Sequence, residues 1–163
     1  MNWTKASSIA EILSSVAILI TLVYLVVEIQ QNAEATQAET RQAILDSDQQ
    51  FLELYVDSPE LGVLQFKAEL SDEERIRLSY LLVTFIRMRE SNWLQYENGT
   101  LDDVTWRAYQ GSLVATFSYP QSRAWWQNFG VERIFNSEFI SLVDELIANQ
   151  PVFDRSPHIT AFD

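Results

Sequence analysis

Arg87, Glu90 and Trp93 fall three residues apart, so on a helix they share one face, next to the most apolar run of the body, Tyr80 to Ile86. A buried guanidinium with a carboxylate one turn away can cement a core, face a partner, or serve as an acid–base pair, and the three roles stay open at this point. Other chemistry is poorly served. There is no Cys and a single His, His158, in an irregular tail, so thiolate sites, paired imidazole ligands and a Ser-His-Asp triad have no obvious starting point. The acidic pairs Glu73-Glu74, Asp102-Asp103 and Asp144-Glu145 are adjacent, so on a helix they point about 100° apart and cannot work as a facing pair. Gly62, Gly99, Gly111 and Gly130 are scattered and build no phosphate cradle. Trp93, Trp106, Trp125 and Trp126, with Tyr96 and Tyr109, fit either a ligand cage or the core of a small domain. Trp125 and Trp126 cannot both face one way, which leaves one for a partner, a neighbouring helix or a bilayer surface. No catalytic residue, metal ligand or cofactor is expected.

The elements that hold these residues begin with a greasy segment. Ile12 to Val27 carry no charge and span roughly 24 Å at the helical rise of about 1.5 Å per residue. Ile9 to Ile29 span about 31 Å, the thickness of a hydrocarbon core, with Glu11 and Glu28 one near each interface. A retained single-span anchor is the reading adopted; a cleaved signal peptide and a buried core helix are the alternatives. Lys5 and the amino terminus against Arg41 weakly favour an inside amino terminus, and the side of the remaining chain is open. Ala10, Ser14, Ala17 and Thr21 draw a stripe of small side chains along the span, a face on which lipid-embedded helices approach closely.

Of 163 residues only 4 are Gly and 4 Pro, and 47% are hydrophobic, so the rest reads as folded helix. The balance of 11 Lys+Arg against 23 Asp+Glu, −12 net, disfavours nucleic acid as a partner. Residues 1–29 are assigned to the anchor, 30–57 to its helical extension, 58–149 to a small helical domain and 150–163 to an irregular tail. The extension places Ala33, Thr36, Thr40, Ala43, Ser47 and Gln50 on a heptad-like seam, too polar for a strong coiled coil and read as solvated rather than packed on a neighbour, and turns apolar at Ile44, Phe51, Leu52, Leu54 and Tyr55. Ser58-Pro59 opens a helix to about Glu69, and the Ser71/Glu74 capping box opens the core helix. That helix runs from Asp72 to Asn98, with Ile76, Tyr80, Val83, Met88 and Trp93 around the dense apolar run from Tyr80 to Ile86. Thr100 to Asp103 start a helix carrying Trp106, Tyr109, Leu113 and Phe117; a short aromatic helix covers Ser122 to Phe129, and Ser137 caps a last one to about Asn149. The fold class is all-α.

The segment SSIAEILSSVAILITLVYLVVEIQQNAEATQAE, followed by NGTLDDVTWRAYQGSL, SRAWW and SEFISLVDEL, resembles a widespread group of uncharacterised bacterial proteins with one amino-terminal span and a small helical domain. The resemblance covers most of the chain to about residue 148 and implies the anchor and the helical body, with no activity attached. The expectation is a bacterial inner-membrane, single-pass, non-catalytic interaction module, contacting membrane lipid and either other membrane subunits or itself. The alternative is a membrane-tethered enzyme or ligand sensor with an aromatic pocket near Arg87, Glu90 and Trp93.

Overall fold

The computed structural model describes the backbone of residues 3–153 and the side chains of residues 11–153. It is all-α: α1 (Trp3–Asp57), α2 (Glu60–Val63) with a 3₁₀ turn (Leu64–Phe66), α3 (Asp72–Glu97), α4 (Asp103–Phe117), α5 (Pro120–Asn128), a second 3₁₀ turn (Val131–Arg133) and α6 (Ser137–Ile147), with no strand among the described residues. The chain divides into two units, Met1–Glu39 and Thr40–Asp163.

The described part of the first unit is α1 itself. No Gly or Pro interrupts it, which is why it does not break before Asp57. Every side chain from Glu11 to Thr36 is exposed. From Glu11 on, the helix is long and apolar enough to cross a membrane, with a mean hydropathy of 2.5 over its most apolar window, none of it buried. The hydroxyls of Ser15, Thr21 and Thr36 donate to the carbonyls four residues back, of Glu11, Ala17 and Asn32, at 2.8 to 2.9 Å. Each of these three hydroxyls is thereby satisfied within the helix that carries it.

The second unit takes in the end of α1, residues that the sequence assigns to an extension of the anchor. Thr40, Ile44, Asp48, Phe51 and Tyr55 are its sheltered positions, while Ala43, Ser47 and Gln50 of the expected seam are exposed, as are Leu52 and Leu54. The sheltered face lies one residue on from that seam because Ile44 joins the core and the Phe51 ring meets Phe85 at 5.8 Å.

Local chemistry sets the helix ends. Ser71 Oγ accepts from Glu74 N and the Glu74 carboxylate accepts from Ser71 N, so the capping box opens α3. Gly99, at φ 75°, stops it. Asp102 caps α4 by accepting from the N–H groups of Val104 and Thr105 at 3.0 Å, and Asn136, not Ser137, caps α6. The helix expected from Ser58 to Glu69 is shorter: it tightens to 3₁₀ at Leu64 and turns extended at Lys67, where Gln121 Nε2 donates to the carbonyls of Lys67 and Ala68. This brings Leu64 into the core and the Phe66 ring to 4.5 Å from Tyr119.

The core lies between α3, α4 and α6. Leu78, Leu82, Phe85, Ile86 and Trp93 form the inner stripe of α3 and meet Trp106, Leu113 and Phe117 of α4 and Phe139, Val143 and Ile147 of α6. Ile76 and Tyr80 point outward, 58% and 71% exposed, because the stripe passes through Leu78 and Leu82 and lies two residues away in phase. Arg123 of α5 closes two helix ends, donating to the carbonyls of Phe117 and Ile147.

Leu82→Ala is expected to cost about 2–5 kcal/mol in urea unfolding of the full chain in micelles, against about 0.5 kcal/mol or less for Tyr80→Ala. Asp102 is held well below the ordinary carboxylate range by the Thr105 N–H, the Thr105 hydroxyl and the Arg41 guanidinium. With its folded value depressed, its stabilisation is complete above about pH 4 and fades as pH falls toward the folded value. Melting temperature should therefore drop less between about pH 5 and pH 3 in Asp102→Asn, which keeps an acceptor that does not titrate, than in the wild type.

Candidate functional site

Arg87 and Glu90 meet as spaced, but the buried partner is the acid. The Arg87 side chain is 54% exposed and that of Glu90 is 6% exposed. Glu90 Oε2 accepts from Arg87 Nη1 at 2.5 Å and Oε1 accepts from the Asn136 N–H at 2.5 Å, while Arg87 Nη2 donates to the Ile134 carbonyl at 2.6 Å. The guanidinium also lies 4.9 Å over the Phe135 ring. The Arg87–Glu90 pair lies within α3; the contacts to Ile134, Phe135 and Asn136 tie α3 to the turn that enters α6.

Trp93 is buried, its ring 5.8 Å from Phe139. Trp126 is buried against Phe117 at 5.0 Å and its Nε1 donates to Asp144 at 2.8 Å. Half-buried Trp125 donates to Ser79 Oγ at 2.9 Å and stacks on Phe129 at 4.5 Å. The adjacent tryptophans thus do face different ways, each with its N–H used inside the body. The hollow beside Trp93, about 270 Å³, is lined by Tyr96, Trp106 and Arg107 and includes neither Arg87 nor Glu90. That hollow therefore takes in Trp93 alone of the trio, because Arg87 and Glu90 face the α6 turn instead. On α1, Glu11, Ser14, Ala17, Thr21 and Glu28 are exposed; the Ala10 side chain, Lys5 and His158 lie outside the described residues.

The arginine the core does bury is Arg89, two positions on. Its side chain is 6% exposed, and Nη2 and Nη1 reach Asp48 Oδ1 and Oδ2 at 2.7 and 3.4 Å. The guanidinium lies over the rings of Phe85, at 4.9 Å, and Tyr109, at 4.5 Å. The Asn92 amide, oriented to satisfy both its ends, accepts from Arg89 Nη1 at 2.8 Å and donates to the Met88 carbonyl.

This ion pair forms part of the wall of a cleft of about 640 Å³. Phe51, Leu52 and Tyr55 of α1 line it, with Val63 of α2 and Gln65 and Phe66 of the 3₁₀ turn. Leu81, Leu82 and Phe85 of α3 and Ala115 and Thr116 of α4 complete it, with Tyr119. Burial pushes the Tyr55 and Tyr119 hydroxyls up from their ordinary value, as it does Tyr109 behind the pair, where Asp48 adds to the effect. Gln65 lies close enough to Tyr55 to hydrogen-bond it, and Gln65 Oε1 and Arg89 Nε are buried without hydrogen-bond partners. A largely apolar cleft with a few converging polar groups is the usual form of a small-molecule site. Its one sequence signal is the face Ile44, Asp48, Phe51 and Tyr55, in which a carboxylate interrupts an apolar stripe.

No family model, curated protein or solved structure matches the chain.

Asp48→Ala strands the Arg89 charge and is expected to cost about 3 kcal/mol, the low end for a broken buried pair because Asp48 keeps 21% exposure. Asp48→Leu combined with Arg89→Met should recover most of that loss in the same urea titration, since neither charge is then left alone.

Proposed function

We propose that this chain is a single-pass bacterial inner-membrane protein of the group it resembles. Its helical body is a non-catalytic interaction module, an accessory subunit of a membrane complex or a homo-oligomer. One observation carries the reading: from Ile12 to Ile29 the large apolar side chains of α1 are 45–68% exposed, on a helix long enough to span. Burying each such side chain gains about 1.5–3 kcal/mol, and a bilayer supplies that burial along the whole segment. The body's most sheltered charges support a binding role. Glu90 is engaged by Arg87 and the α6 turn, and Arg89 by Asp48 and two aromatic rings, so both are committed to holding helices together.

The full chain should sediment with membranes, resist an alkaline carbonate wash and enter solution with a nonionic detergent. Recovery in the supernatant of a detergent-free lysate overturns the anchor. After extraction, the protein mass in the particle should exceed the 18.8 kDa of one chain; a lone copy with no co-purifying protein overturns the module. Leu19→Asp with Val23→Asp should abolish membrane retention, each carboxylate costing about 3 kcal/mol at mid-span.

A further inference from the structure

We propose that the cleft between α1, α3 and α4 binds an uncharged single-chain amphiphile whose head carries a hydroxyl, of the monoacylglycerol type. Volume sets the size. At the roughly 30 Å³ that a water-sized group takes up in a liquid, 640 Å³ holds about twenty non-hydrogen atoms: one acyl chain and a small head, too few for a two-chain phospholipid. The lining sets the polarity of the tail. Phe51, Leu52, Leu81 and Val63 offer an apolar wall, and Leu52 and Val63, 62% and 48% exposed, are covered once a chain lies across them.

Electrostatics set the head. Arg89 and Asp48 neutralise one another at 2.7 Å, so the wall carries no net charge from its ion pair, and an anionic head would meet the Asp48 carboxylate as a cationic one would meet the guanidinium. Two buried atoms of lining residues lack partners and are of opposite kind: Gln65 Oε1 needs a donor and Arg89 Nε–H needs an acceptor. A hydroxyl serves either, and a bound ligand removes the cost of leaving such an atom buried and unpaired. That the amphiphile comes from a bilayer rests on the anchor reading above; the volume and the polarity do not.

The test uses the full chain in phosphatidylcholine nanodiscs, which avoids detergents that would fill the cleft, and a monoacylglycerol carrying a photoreactive diazirine in its chain. Elution of the protein with the discs reports on the anchor separately. Irradiation and peptide mapping should place saturable label on residues 51–55 and 81–85. Excess unlabelled 1-monomyristoylglycerol should remove it, and sodium myristate at alkaline pH should not. Gln65→Leu should raise the concentration for half-labelling about tenfold, the effect of one lost hydrogen bond, and Ala115→Phe should abolish labelling by filling the cleft. Label that does not saturate, that maps elsewhere, or that myristate displaces equally well overturns the proposal. Because the competition is read on the unaltered chain, the result stands even where a variant unfolds.

Discussion

A guanidinium buried in the middle of the core helix governs how the body is put together. Arg89 cannot shed its charge, and at 5% exposure it has little water to share it with. It needs a carboxylate, and the one it reaches is forty-one residues earlier, at Asp48 on α1. The last turns of α1 are therefore held on α3, the aromatic rings of Phe85 and Tyr109 lie against the cation, and Asn92 takes up a further N–H. An apolar contact alone would allow α1 to slide or rotate on its neighbour; a two-toothed ion pair against rings admits one register.

The same requirement explains why the cleft persists. Tyr55 lies just short of two helical turns beyond Asp48 on α1 and so on the same face, and fixing Asp48 fixes where the Tyr55 ring stands relative to α3. The short turn from α2 comes back under it, with Leu64 buried, Phe66 on Tyr119 and the following carbonyls held by Gln121. The space left over is the cleft, and collapse is resisted by groups that already have partners on their far sides.

What was legible in the chain was chemistry acting over a few residues. Ser71 with Glu74, Asp102 before its helix, and Gly99 after α3 announce themselves because each needs only its own neighbours. The phase of α3 did not, since Tyr80 to Ile86 is apolar at nearly every position and so marks no preferred face. Arg89 was hidden for a related reason: a charge within an inward stripe looks like an interruption of it, while Arg87 beside Glu90 looks like a pair. On α1 the small-residue seam drew attention away from the face one residue on, where Ile44 and Phe51 meet the core. The extended turn at Lys67 depends on Gln121, more than fifty residues away, and nothing local points to it. Five separate elements build the cleft, so no window of sequence contains it.

The back-donated hydroxyls of α1 carry a consequence for any neighbour that lies along that helix. The protons of Ser15 and Thr21 are already given to the carbonyls of Glu11 and Ala17. A companion helix passing Ala17 and Thr21 finds no spare donor there. Recognition on that side has to come from contour: how closely a second backbone can settle against short side chains, and whether that companion brings a donor of its own. Such a surface discriminates by fit, rejecting bulk far more sharply than it rejects a change of polarity.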